Sequence, residues 1–469
     1  MTPPITPEQL ANLPPEFRDL LRAVIDYYEA QLAKLREQLA AARATPANSS
    51  KPPSTQHPHA KPAPPKPKSK NKRGGQTGHP QHRRALIPAD QCQAVVALQP
   101  DACRRCHRAL AGTDATPLRH QVWEIPEIRP LVTEYQRHRL ACPRCGITTC
   151  AALPPGVSPS QAGPNLVAFT ALLMGCFRQS KRRVALLFTE LLHQPCSPGW
   201  VVKLQDQATA ALRPAYEQLQ RALPRQSVVG GDESPTKQGS AKAWLWTFVA
   251  AAFTVFAIRP NRKATAVTEL LGPEFPGIVT CDRAKMYWCA GRLQWCWAHL
   301  KRDFQAWIDH PDGAVKRLGH DLMRPTLELF ALWKRVRDGT LSRAQFRERV
   351  SPIRESVNGL LLRGAFGQKP GVAGSCRELW VHRENLWRFV DAEGVEPTNN
   401  ASERALRPAV IWRKLSFGTQ SGSGSRFVET LLSVVETCRQ QKRSAFAFVR
   451  QAVEAHAHRQ TAPLLLAGV

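Results

Sequence analysis

The chain has 469 residues, 43% of them hydrophobic, with 65 Lys and Arg against 37 Asp and Glu. That content can build several domains with cores, and the net charge of +28 favours a polyanionic partner over a soluble protein that is merely basic, because displaced counterions drive such binding. The longest apolar run, Ala243 to Ile258, is interrupted by Thr247 and Thr254 and is shorter than the roughly 18 residues of a membrane span. Met1-Thr-Pro-Pro lacks the basic and apolar regions of a secretory signal, and 13 cysteines, an odd number, do not suit a complete disulfide framework. The expectation is a reducing cytoplasm, close to the nucleoid, and no membrane partner.

The first predicted element is a helix. Leu21, Ile25, Tyr28, Leu32, Leu35 and Leu39 step by four and three, the a/d seam of a heptad repeat, flanked by Glu29, Lys34, Arg36 and Glu37. Pro14 and Pro15 precede it and Pro46 follows. An amphipathic helix packed on its own protein fits the same pattern; the preferred expectation for 1–45 is a coiled coil that joins subunits. Residues 46–90 read as a basic linker. Positions 51–84 hold nine Lys or Arg and no acid, among them Lys66, Lys68, Lys70, Lys72 and Arg73, with many prolines. Such a segment buries too little apolar surface to fold, and its charge suits phosphates rather than bases.

Residues 91–155 contain Cys103-Arg-Arg-Cys106 and Cys142-Pro-Arg-Cys145-Gly146. Paired C-x2-C knuckles each present two thiolates to one tetrahedral zinc ion, so a zinc ribbon is expected, with ligands Cys103, Cys106, Cys142 and Cys145. A redox dithiol is the rival. Between the pairs, Val122-Trp-Glu-Ile-Pro and Leu131 to His138 are predicted strands. Residues 156–225 predict helices. One carries Leu166, Phe169, Leu172, Leu173 and Phe177 on one face; a second covers Val184 to Leu192; a third opens at Ser197-Pro-Gly, with Ser197 as N-cap. With Arg178, Lys181, Arg182, Arg183 and Lys203 nearby, this resembles a helix-turn-helix that binds DNA; a plain helical connector fits equally.

From residue 226 the pattern changes. Ser227-Val-Val-Gly-Gly-Asp232-Glu is a short strand ending in acids. Trp244 to Ala252 and Phe253 to Arg259 predict a hairpin, Thr265 to Leu271 a helix, Ile278-Val-Thr-Cys-Asp282 a fourth strand, Gln294 to Trp297 a fifth, and His299 to Ile308 a helix. Three strands, a helix, two further strands and a helix resemble the elements of a ribonuclease-H-like fold over 226–440, interrupted by a basic helical insertion at 310–395, with a helical tail at 441–469. The whole is a multidomain α+β protein. No Gly-rich phosphate loop is present.

Asp232 and Asp282 each close a strand, and Glu403 lies within Pro397-Thr-Asn-Asn-Ala-Ser-Glu403-Arg-Ala-Leu-Arg-Pro408. A few carboxylates suffice for Mg2+, which keeps several waters, and two such ions can serve phosphodiester cleavage. Each Asp is equally readable as the start of a turn, and Asn400-Ala-Ser-Glu403 has capping-box spacing. His299 has no derivable role; a DNA contact and a core histidine both fit, and the core histidine is the preferred expectation.

Several ordered segments resemble transposases of the insertion-sequence 66 family, from about residue 10 to 460. These are Gly74-Gly-Gln-Thr-Gly-His79, the two Cys pairs, Asp232-Glu-Ser, Cys296-Trp-Ala-His-Leu-Lys-Arg-Asp-Phe304, Asn399 to Pro408, and Arg413-Lys-Leu-Ser-Phe417 through Gly422-Ser-Gly424 to Glu436-Thr-Cys-Arg439. The resemblance implies a DDE-type recombinase that binds insertion-sequence ends and cleaves and transfers DNA strands. Asp232, Asp282 and Glu403 would hold Mg2+ or Mn2+, and small accessory proteins of the same element would be partners. Arg404, Arg407, Arg413 and Lys414 are the expected phosphate path. Two departures stand out. Arg283-Ala-Lys-Met-Tyr287 follows the second Asp where many relatives have Gly-Tyr, and Ser402 stands where Ala is common. The rivals are a zinc-ribbon DNA-binding regulator with an inert ribonuclease-H-like domain and a metal-dependent nuclease that never joins strands.

Overall fold

The computed structural model describes residues 12–42, 84–157 and 161–466. Lys66, Lys68, Lys70, Lys72 and Arg73 lie outside the described residues. Helix α1 spans Pro15–Ala42. Ile25, Tyr28, Leu32 and Leu35 of the predicted seam are exposed on it and Leu21 is half-buried; the side chains of Lys34, Arg36, Glu37 and Leu39 lie outside the described set.

The two predicted strands around Val122 and Leu131 do not form. Val122, Ile125, Leu131 and Val132 are exposed, and Pro126 and Pro130 each withhold a backbone donor. The observed strands are shorter and lie further on: β1 (Arg139–Ala141) and β2 (Thr148–Cys150) pair antiparallel around the second cysteine knuckle.

Three helices follow, α2 (Pro164–Gly175), α3 (Lys181–Leu192) and α4 (Pro198–Ala222). The Ser197 hydroxyl caps α4, accepting from the Trp200 N–H at 3.1 Å, with Pro198 in the first turn where no amide donor is needed. Helix α4 is buried along much of its length and its Tyr216 hydroxyl donates to the Phe256 carbonyl at 2.9 Å, so it shares the core of the sheet that follows.

That sheet contains β3 (Val228–Gln238), β4 (Ala241–Val249), β5 (Thr254–Arg259), β6 (Ile278–Cys281) and β7 (Leu293–Trp295), with α5 (Ala264–Leu271) between β5 and β6. The strand order is β5-β4-β3-β6-β7. The first three strands pair antiparallel, and β6 joins β3 in parallel, then β7 joins β6 in parallel. Strand β6 is wholly buried, Thr280 included, as a strand with parallel neighbours on both sides requires.

Helices continue with α6 (Trp297–Ile308), α7 (Gly313–Arg337), α8 (Arg343–Ala365), α9 (Pro370–Val381) and α10 (Glu384–Asp391). The last three are α11 (Asn400–Ser416), α12 (Gly422–Gln440) and α13 (Ala445–Ala457). The protein is thus mixed α+β with a helical majority. Helix α12 solves the edge problem of β5. An edge strand leaves every second amide unpaired. Here the N–H groups of Thr254, Phe256 and Ile258 donate to Thr437 Oγ1, Ser433 Oγ and Glu429 Oε1, three side chains spaced four residues apart on α12. No helix among the described residues is long and apolar enough to cross a membrane.

Candidate active site and metal centres

Strand β3 delivers two acids to opposite faces, because side chains alternate along a strand. Gly230 and Asp232 face α11; Gly231 and Glu233 face the Tyr287 side. A Cβ at Gly230 would lie 2.3 Å from Ser402 Oγ, and one at Gly231 would lie 2.8 Å from the Tyr287 ring. Both glycines are therefore required by close approach. We expect Gly230→Ala to push α11 off β3 and to cost about 1–3 kcal/mol, read as a fall in thermal midpoint. An unchanged midpoint would show that Ser402, fully buried here, can yield.

Asp282 follows β6. In the parallel register Gly230 pairs with Thr280, so Asp232 and Asp282 lie two residues beyond paired positions, at the same end of adjacent strands. Asp282 Oδ1 accepts from the Ala284 N–H at 2.9 Å, and Asp232 Oδ1 from the Glu233 N–H at 2.9 Å.

Glu403 arrives from 121 positions later in the chain, and the approach is anchored by backbone contacts. The Trp297 N–H donates to the Pro397 carbonyl at 2.9 Å, the Asn399 N–H to Cys296 Sγ at 3.2 Å, and Asn399 Nδ2 to the Gly231 carbonyl at 2.7 Å. These fix the first turn of α11 against β3 and α6. The N-cap is Asn399, and no side chain caps the helix, so the capping-box spacing goes unused and Glu403 makes no such bond. Its nearest basic neighbour is His299, whose Nε2 is 3.9 Å from Glu403 Oε1.

The electrostatics follow from this convergence. Burial holds the Asp232 carboxyl well above the usual carboxylate range, and the charges of Glu233, Asp282 and Glu403 push it further the same way. His299 is shifted down, first by burial and then by Arg302. Glu233 is shifted up by burial and by Asp282. It is nevertheless paired, to the Arg262 guanidinium and as acceptor from the Tyr287 hydroxyl. Arg283, the departure after the second Asp, bonds Asp303 at 2.8 Å and so ties the loop after β6 to α6.

Of the four basic residues expected on α11, Arg404, Arg407 and Lys414 are exposed, whereas Arg413 turns inward and donates to the Pro235 carbonyl. Sequence reasoning missed the roles of Arg262, Tyr287, Cys296 and Asn399. Only the Cys296-x2-His299 spacing carried a signal.

The cysteine knuckles are described separately. In one, the Cys103 N–H donates to the Arg108 carbonyl and the His107 N–H to the Cys103 carbonyl, each at 2.9 Å. In the other, the Cys142 N–H donates to the Ile147 carbonyl and the Gly146 N–H to the Cys142 carbonyl, again at 2.9 Å. The turn residues His107 and Gly146 both take positive φ, 56° and 74°. Backbone N–H groups of Cys106 and Arg105 lower the Cys103 thiol, and those of Cys145 and Arg144 lower the Cys142 thiol. Both turns thus favour a thiolate, the form that binds metal.

Comparison with known proteins adds the family. A model described as the transposase IS66 family matches residues 159–426, more than half of the chain. A second, the zinc-finger binding domain of transposase IS66, matches residues 100–146 and spans both knuckles. A third, a family of unknown function, DUF6444, matches residues 5–85. The chain is also similar to uncharacterized protein y4qI of Sinorhizobium fredii (strain NBRC 101917 / NGR234), 29% identical over 231 residues, which cover 44% of this chain and 42% of that protein. The match spans less than half the length of that relative. A sheet carrying converging acids, two zinc-type knuckles and these matches together establish that the chain belongs to the IS66 transposase family.

Proposed function

We propose that this protein is a DNA transposase that binds the ends of its insertion sequence and cuts and joins DNA strands at Asp232, Asp282 and Glu403. The observation that carries the proposal is the electrostatic crowding at Asp232: burial combined with the charges of Asp282 and Glu403, which come from two other segments. Uncompensated carboxylates in a half-buried site suit a hard divalent cation, Mg2+ or Mn2+. When bound, such ions supply a lowered water pKa and stabilise the attacking and leaving oxygens. The protein's own groups keep the oxygens free for that purpose. Glu233 is occupied by Arg262 and Tyr287, and Asn399 holds α11 so that Glu403 faces the strand ends. The strand order, three antiparallel strands followed by two parallel ones, supports a ribonuclease-H-like domain with 310–395 as its helical insertion.

Exposed Arg404, Arg407 and Lys414 on α11, with Arg413 behind them, would guide the DNA backbone past the acids, and the linker cations would add contacts to phosphate. Cys103, Cys106, Cys142 and Cys145 would hold one zinc ion. On this reading α1 pairs with a second copy through its exposed seam, and accessory proteins of the same element complete the assembly.

The test is a supercoiled plasmid carrying the DNA that flanks the coding region. We expect nicking at the element ends in Mg2+ and none with a chelator. Binding without nicking in Mg2+ or Mn2+ would favour the inert regulator instead. For the knuckles, Cys142→Ser should lower zinc content and weaken binding to element ends, because so exposed a segment has little core without metal. Full zinc occupancy in that variant would remove Cys142 from the ligand set.

A further inference from the structure

The strands bring a second donor set to Glu403. Cys296, His299 and Glu403 each offer a ligand atom, and these lie within 4.8 Å of one another. Cys296 follows β7 as the N-cap residue of α6, His299 lies on the first turn of α6, and Glu403 on the first turn of α11. The Cys296 sulfur already accepts from the Asn399 N–H at 3.2 Å, while burial holds its thiol above the usual range. A divalent ion in contact with the sulfur would offset that burial, because a coordinating thiol is deprotonated by the metal. The His299 ring is half-buried, and its Nδ1 has no hydrogen-bond partner.

These donors differ from those of the Asp232 cluster. Sulfur and imidazole select thiophilic ions of the Zn2+ class over Mg2+. Ligand atoms around a tetrahedral zinc ion stand roughly 3.3–3.8 Å apart, given metal–ligand lengths of about 2.0–2.3 Å. The His299–Glu403 separation of 3.9 Å is already close to that range. One protein carboxylate, one imidazole and one thiolate leave a fourth position for water, as in open zinc sites.

We infer that Cys296, His299 and Glu403 form a binding site for a thiophilic divalent ion, separate from the cysteine knuckles, and that occupancy withdraws Glu403 from the Asp232–Asp282 cluster and inhibits DNA cleavage. On binding, the ion replaces the Cys296 thiol proton, which passes to solvent. The inhibitory half of the inference rests on the catalytic reading of Glu403; the binding half does not.

The experiment uses the full-length protein and two readouts. Zinc bound per chain is measured after dialysis against buffered Zn2+ for the parent, Cys296→Ser and His299→Gln. Each variant should hold one ion fewer than the parent, with the knuckle metal unchanged. In Mg2+-dependent nicking, added Zn2+ should inhibit the parent, and inhibition of each variant, relative to its own zinc-free rate, should need about tenfold more zinc or more. A thermal melt checks folding, and the partly exposed His299 supplies the reading if Cys296→Ser does not fold. Equal zinc counts in parent and folded variants would overturn the site. A lost ion together with parent nicking that ignores zinc would overturn the inhibition alone, since nicking by Glu403→Gln decides the catalytic reading separately, and the count would stand as support for the binding site.

Discussion

Glu403→Gln should abolish nicking and strand transfer together and leave the fold intact. The amide keeps the shape of the side chain and removes the charge that a divalent ion needs. Losing one such ligand should reduce the rate by about a thousandfold, or about 4 kcal/mol of transition-state stabilisation. Stability should change by less than about 0.5 kcal/mol, because Glu403 caps nothing and its closest basic neighbour is His299 at 3.9 Å, whose lowered affinity for a proton favours the neutral ring. Nicking beside a thermal melt checks both halves. Normal nicking would take Glu403 out of the site. Glu429 and Glu436 are poor replacements: Glu429 accepts from the Ile258 N–H and pairs with Arg426, and Glu436 pairs with Arg439.

Asp232→Asn should have the opposite signature in stability. The Asp232 carboxyl is held above its unfolded value by burial and by Glu233, Asp282 and Glu403. The folded chain therefore binds this proton more tightly than the unfolded chain, and stability falls as pH rises from the ordinary aspartate range through the raised folded value. Above that window the metal-free protein carries the full penalty of the buried charge. The neutral amide removes it, so metal-free Asp232→Asn should melt above the parent at neutral pH, by about 2–4 °C for each kcal/mol relieved. The gap should close in acid, where the parent carboxyl is itself neutral. Mg2+ should raise the midpoint of the parent and not of the variant, and cleavage should be lost. A variant that melts below the parent at every pH would mean that the charged carboxylate stabilises the folded chain rather than straining it.

What the sequence disclosed was local. The hairpin of β4 and β5, the short β6 and the Ser197 cap all arise from spacing within a few residues, and each lies within a residue or a few of its expected position. The strands expected around Val122 and Leu131 failed for lack of partners, which strand propensity does not encode. The capping box at Asn400 to Glu403 failed because tertiary contacts had already assigned the start of α11, through the Asn399 amide on Gly231. The pairs that shape the site, Tyr287 with Glu233 and Asn399 with Gly231, join residues 54 and 168 positions apart, and no periodicity reports them. His299 offers no role in the sequence and is preferred there as a core histidine, whereas the structure sets its ring beside a carboxylate.

The central claim is that one cluster of acids both cuts and joins, and joining is the decisive step. The direct measurement is strand transfer by the purified full-length protein in Mg2+, using an element-end duplex already cut to leave its 3′-hydroxyl and a supercoiled target plasmid. The expected result is covalently joined product from the parent and none from Asp232→Asn, Asp282→Asn or Glu403→Gln, each of which should still bind the end. Cleavage without joined product would make the protein a nuclease, and joining by any of the three variants would contradict a single site built from these carboxylates.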